Sequence, residues 1–157
     1  MAATKYQAIK DSLCRLYLDD PRPWLVGFSG GKDSTLVASL IVETVVGIPE
    51  AGRKKPVSIL CTDTRVEIPA IAETIEATLS RIRRFSQQNN LNIEVNLLKP
   101  PPEQSFWVNI IGRGYPPPNR VFRWCTQRLK IDPVTMFVQQ RLGHWSEAIL
   151  HLGARRA

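Results

Sequence analysis

No apolar run in this chain reaches the roughly 20 residues that a membrane-spanning helix needs. The longest candidate, residues 36–48, is short and is interrupted by Glu43. The first residues lack the basic-then-apolar layout of a secretory signal, so a cytoplasmic protein with no membrane partner is expected. Cysteine is scarce and odd in number: Cys14, Cys61 and Cys125 lie far apart, which excludes a disulfide framework and any zinc-ligand spacing within the chain. Cys14 and Cys61 sit among apolar neighbours and read as buried small hydrophobes. Histidine is scarcer still. His144 and His151 fall outside every suggestive string; both read as structural, and no obvious general base is on offer. Internal repeats and low-complexity tails are also lacking.

What is present is a globular composition. The 157 residues are 43% hydrophobic and 22% charged, enough for one domain with a real core. The net charge of +7 is uneven. Residues 101–157 hold eight Lys/Arg against three Asp/Glu, a surplus of five, whereas residues 1–100 are in excess by only two. A basic patch in the second half can face the phosphates of a nucleotide or of DNA.

Helical periodicity over 4–18 is followed by a short buried strand at 24–28 and a helix over 34–46. Residues 50–55 read as a polar, basic loop. A strand at 57–61, a helix over 70–88 with Arg81, Arg83 and Arg84 on its exposed face, and a strand at 93–98 come next. Pro100–Pro102 close that unit. Residues 105–111 read as a short helix, 112–119 as a loop stiffened by three prolines, 124–142 as two helical pieces broken near Pro133, and 148–152 as a final strand. Strands alternating with helices call for an α/β fold: a mostly parallel sheet with helices on both faces. Ligands in such sheets sit beyond the carboxyl ends of the strands.

The first strand ends in Phe-Ser-Gly-Gly-Lys-Asp-Ser-Thr, residues 28–35. Gly30 and Gly31 permit positive φ and close backbone approach. Successive N–H groups and a helix N-terminus then form an anion site. Ser29, Ser34 and Thr35 add hydroxyls, and Lys32 adds charge. Asp33 beside phosphates calls for a bridging cation such as Mg²⁺. This is no Walker A loop, because Val26 stands where the first Gly is needed and Asp33 where Ser or Thr must follow the Lys; the dinucleotide fingerprint also fails. The string resembles the SGGxDS motif of the PP-loop ATP pyrophosphatases. That resemblance implies the adenine-nucleotide alpha-hydrolase-like fold, a loop that holds the pyrophosphate of ATP, and chemistry at the α-phosphorus.

Two further stretches narrow the resemblance. Residues 60–75, LCTDTRVEIPAIAETI, resemble the segment after the second strand in phosphoadenosine phosphosulfate reductases and their relatives. Thr62 and Asp63 would there flank the adenosine, and Asp63 and Glu67 can hold ribose, metal or a partner, or cap the following helix. Residues 105–133 resemble the matching part of DndC, the sulfurtransferase-like family of bacterial DNA phosphorothioation. Here Arg120, Arg123, Arg128 and Lys130 form a cationic cluster suited to phosphates. Cys125 lies among them, able to carry sulfur or ligate metal, or simply to pack beside a helix. Trp107, Tyr115, Phe122 and Trp124 read as packing more than as stacking platforms. The chain has no adjacent Cys pair here, unlike many adenosine-phosphosulfate reductases. HLGARRA, 151–157, resembles the Arg-bearing turn near the end of the family's nucleotide domain, with Arg155 a phosphate ligand.

The resemblance implies a single PP-loop domain spanning 1–157, truncated at its C-terminal end. Its reaction would be adenylylation of an acceptor, DNA, with ATP and Mg²⁺ as cofactors and pyrophosphate released. Catalytic roles would fall to Lys32, Asp33, Arg123 and Cys125. An iron–sulfur cluster is expected in full-length relatives but its ligands are not in this chain. A cysteine desulfurase and other phosphorothioation proteins are the implied partners. Two rival readings are a thiol-dependent phosphosulfate reductase, and a nucleotide- or DNA-binding module without catalysis.

Overall fold

Two apolar runs become the strands β1 (Trp24–Phe28) and β2 (Val57–Thr62), an alternating segment becomes β3 (Ile93–Leu98), and a shorter β4 follows at Ile149–His151. The structure is a computed structural model, and it describes residues 2–142 and 147–154. All strand pairs are parallel, in the order β3-β2-β1-β4. Trp24 lies level with Val57 on one side and Ile149 on the other. The α/β architecture expected from the sequence is therefore the observed one.

Strand alternation divides the interior in two. Trp24, Val26, Phe28, Val57, Ile59, Cys61, Ile93 and Val95 face one way. They pack against the helices α1 (Ala2–Asp19), α2 (Lys32–Gly47) and α3 (Pro69–Gln88), which contribute Tyr17, Ile41, Val45 and Leu79. Leu25 and Leu60 face the other way, against Val134, Phe137 and Val138. Those three belong to the last helix of a path comprising α4 (Trp124–Thr126), a π-helical turn (Gln127–Ile131) and α5 (Asp132–Leu142). The break expected near Pro133 is absent. Proline strips a helical hydrogen bond and crowds the preceding turn, and the path widens into a π turn immediately before it. Residues 106–112 are likewise helical but widen to a π turn at Val108–Gly112.

The basic loop at 50–55 turns inward. Arg53 donates to the carbonyls of Ile48, Asn89 and Val46 at 2.7, 3.0 and 2.8 Å, which ties the carboxyl ends of α2 and α3 together. Lys55 is 7% exposed. Its Nζ donates to Leu16 O at 3.2 Å and lies 4.8 and 5.1 Å from the ring centroids of Tyr17 and Trp24. Burial lowers its pKa. Asn109, fully buried, donates its amide to Gln104 O and Ser105 O at 2.9 Å and anchors the start of the proline-rich loop by accepting from Tyr115 N at 3.0 Å and Arg113 at 3.3 Å.

His151 packs its ring 4.4 Å from that of Trp24, and its buried Nε2 has no hydrogen-bond partner among the described residues. Burial, then the Lys55 charge, hold its pKa below the usual 6.5. The unfolded chain therefore takes up a proton more readily than the folded one. Stability is full above about pH 6.5 and is lost as pH falls below it. Urea midpoints at pH 7.5 and 5.5 should differ in this direction, and the difference should shrink in His151→Phe. The thiols make a second check. Cys61 is 2% exposed, and burial, with Asp63 and Glu67 adding to it, pushes its thiol up to about 11. Cys14 and Cys125 are half-buried. A thiol reagent at pH 8 should modify Cys14 and Cys125 in the native protein and reach Cys61 only in denaturant.

Candidate functional site

The chain leaves β1, crosses to β2 and β3 on one side, then returns to place β4 on the other side of β1. The order reverses at β1, and such a reversal opens a crevice beyond the carboxyl ends of the diverging strands. A cleft of about 480 Å³ occupies that place. Its lining includes Ser29 and Ser34 from the glycine loop, Thr62 from β2, Lys130 and Thr135 from the helical path, and Gly153 beyond β4.

Gly30 takes φ +73°, the left-handed region that favours glycine, whereas Gly31 is extended at φ −77°. Space demands glycine at Gly30 as well, since a Cβ there would meet Ile75 of α3 at 2.5 Å. The hydroxyls shape the loop. Ser34 Oγ accepts from Ser29 N at 3.1 Å and donates to Gly31 O at 2.9 Å; Thr35 Oγ1 donates to the same carbonyl at 2.9 Å. Only Ser29 among the three is exposed, and its Oγ lies 3.1 Å from Ser34 Oγ. No side chain caps α2 at Gly31. The leading N–H groups of that helix are thus open to an anion, and the dipole favours one. Lys32 is exposed and Asp33 half-buried in this first turn.

Four of the expected ligands meet at the cleft: Ser29, Ser34, Thr62 and Lys130. Lys130 also bears on the Cys61 thiol, whose pKa it lowers against the larger effect of burial, so its charge reaches the end of β2. Asp63 is used locally. Its carboxylate accepts from Arg65 N at 2.9 Å and pairs with Lys99 at 3.9 Å, while Glu67 accepts from Thr64 at 3.0 Å. Both carboxylates rim a separate hollow of about 70 Å³ against α3. Arg128 turns away from the cleft and donates to Gln104 Oε1 at 2.5 Å and Tyr115 Oη at 2.9 Å. Arg120 and Arg123 are exposed on the loop before α4, and Cys125 is half-buried on α4. Arg155 and His144 lie outside the described residues. Among the described residues no group of three or more His, Cys, Asp or Glu gathers as a metal cage, and no helix is long and apolar enough to cross a membrane.

Sequence reasoning missed Gly27 and Gly153. A Cβ on Gly153 would stand 2.8 Å from the Asp33 carbonyl carbon and oxygen and 3.0 Å from Ser34 N. Those are backbone atoms of α2, which cannot swing aside. A Cβ on Gly27 would meet Leu152 at 2.6 Å. The stretch after β4 is therefore pressed against the glycine loop's helix, and a glycine directly after a short apolar strand was the available signal.

No protein-family model matches the chain. An uncharacterized protein of Methanocaldococcus jannaschii is 27% identical over 119 residues, which are 76% of this chain and 20% of that protein. Among solved structures, the NH3-dependent NAD synthetase from Campylobacter jejuni, in complex with the nitrate ion, superposes with a TM-score of 0.52 at 15% identity, covering 96% of this chain and 57% of that one. This chain thus spans a fifth of the first relative and little more than half of the second. The likeness is one of fold: this chain shares the α/β architecture of that synthetase.

Proposed function

We propose that the chain binds ATP and positions it for attack at the α-phosphorus, so that an acceptor receives the adenylyl group and pyrophosphate leaves. The observation that carries this reading is the placement of the glycine loop. An uncapped helix start, Gly30 in the left-handed region and the Lys130 ammonium converge on one cleft at the point where the strand order reverses. The N–H groups and Lys130 would take the charge of the leaving pyrophosphate. Thr62, at the end of β2, would border the nucleoside. Lys32, exposed in the first turn of α2, would reach the phosphates from solvent.

Mg²⁺ suits this arrangement. One carboxylate, Asp33, stands in the first turn of α2, and Mg²⁺ is commonly held by one or two carboxylates together with substrate phosphates. The ion would neutralise phosphate charge. The acceptor attacks phosphorus, the bond from the α-phosphorus to the bridging oxygen breaks, and the electron pair departs with pyrophosphate.

The finer reading rests on the resemblance of residues 105–133 to DndC: the acceptor is a DNA backbone phosphate activated for sulfur insertion, with sulfur supplied through a cysteine desulfurase and an iron–sulfur protein segment outside this chain. Cys125 would be the thiol nearest that chemistry.

Because the chain covers only a fifth of one relative, binding is the direct test. ATP with Mg²⁺ is set against phosphoadenosine phosphosulfate in a competition titration. ATP should win, and Asp33→Ala and Lys130→Ala should each weaken it by about tenfold, the scale of one charge-assisted contact. Gly153→Ala should weaken it similarly by displacing the first turn of α2. Preference for the phosphosulfate would sink the pyrophosphatase reading in favour of a reductase.

A further inference from the structure

A second pocket, of about 370 Å³, is lined by Tyr115, Phe122, Trp124, Gln127, Arg128 and Asp132. Its walls are set by contacts that need no ligand. Trp124 is 7% exposed; Phe106 stacks on it at 5.5 Å, Tyr115 meets it edge-on at 5.5 Å, and its Nε1 donates to Pro116 O at 3.0 Å. Arg128 lies 5.4 Å from the Tyr115 ring centroid while bonded to its hydroxyl. Gln127 Nε2 donates to Asp132 Oδ1 at 2.6 Å, so an amide and a carboxylate supply acceptors in the lining.

The rim is equally built. Asn119 Oδ1 accepts from the N–H groups of Val121 and Phe122 at 2.9 and 2.8 Å, and Asn119 N donates to Phe122 O at 3.1 Å. This turn follows three prolines and sends Val121, 96% exposed, and Phe122, 43% exposed, into solvent. Exposed Arg120 and Arg123 bracket the pair, within the segment whose surplus is five positive charges.

We infer that this pocket receives an unpaired base of a single nucleic-acid strand, with Phe122 stacked on the base and Arg120 and Arg123 on the adjoining phosphates. A basic rim also suits an acidic peptide. A slot walled by three aromatic side chains, with an amide and a carboxylate beside them, suits a flat heterocycle bearing amino groups, which a nucleic acid presents and an acidic peptide lacks. The π turn at Gln127–Ile131 is the shared wall: Gln127 and Arg128 line this pocket, and Lys130 and Ile131 line the nucleotide cleft. A strand seated here would lie on the other side of that one turn from the cleft, where an acceptor for the adenylyl group belongs. The location as an acceptor site rests on the function proposed above; the binding of the strand does not.

Fluorescence anisotropy with a short fluorescein-labelled DNA strand of mixed sequence, and with its duplex, tests this on the full chain. The single strand should bind more tightly than the duplex. Phe122→Ala should weaken it by about tenfold, within the range of one lost base stack, while ATP binding and thermal stability stay as in wild type; Phe122→Tyr, which keeps the ring, should restore binding. Arg120→Ala and Arg123→Ala should each reduce the slope of log affinity on log salt by about 0.7. Equal affinity for duplex and strand, an unaffected Phe122→Ala, or no binding at low salt overturns the inference. Wild-type protein that holds the strand but not ATP would leave this pocket assigned and remove the nucleotide reading instead.

Discussion

Everything at the carboxyl end of the sheet depends on how closely three segments crowd the start of α2. β1 delivers the chain into that turn, α3 lies over Gly30, Leu152 lies against Gly27, and Gly153 touches the peptide between Asp33 and Ser34. None of these positions has room for a Cβ without displacing a neighbour. In a parallel sheet the helix after a strand must begin almost at once and fold back over it, so the strand end, the helix start and the adjacent strand ends share one small volume. Crowding fixes the turn before any ligand arrives. An anion entering the cleft meets N–H groups already placed, and the cost of ordering them has been met in folding.

The hydroxyls in the turn serve the same end. Ser34 and Thr35 converge on the single carbonyl of Gly31, and Ser34 also satisfies the N–H of Ser29. These bonds remove freedom that the two glycines would otherwise bring to the loop. The turn is therefore permissive in its local chemistry and constrained by its surroundings.

Much of this was legible in the sequence, for reasons that differ by element. β1 and β2 are near-continuous apolar runs because they are covered on both faces, and such runs announce themselves; β3, at the sheet edge, alternates buried Ile93 and Val95 with exposed Glu94. The glycine loop was legible because its residue types have few other uses in that order. Charge was not legible in the same way. Arg53 and Lys55 looked like parts of a solvated basic loop, yet Arg53 joins two helix ends and Lys55 is buried against aromatic rings. Arg128 looked like a phosphate ligand beside Arg120 and Arg123, yet it holds Tyr115. A cation's partner is set by which distant carbonyl, hydroxyl or ring the fold brings within reach, and spacing along the chain does not carry that information. Gly153 escaped notice for a related reason, because its constraint comes from α2, more than a hundred residues earlier.

The misread proline is the more instructive case. Pro133 in a helical pattern suggests two helices with a break, and two helices would place Gln127 and Val134 on independently oriented elements. The π turn keeps one path instead, and its extra residue per turn rotates the side chains around it. That rotation lets Arg128 reach Tyr115 while Lys130, two residues on, faces the cleft with Thr135 and Val134. Leu129 between them stays in the interior, 1% exposed, and Phe137 further along closes the second core against Leu25 and Leu60. One continuous helical path thus packs the sheet with one stripe, borders the cleft at the strand ends with another and borders the aromatic pocket with a third. A hinge at Pro133 would let the two pockets drift apart; the widened turn keeps their linings on one continuous helical path.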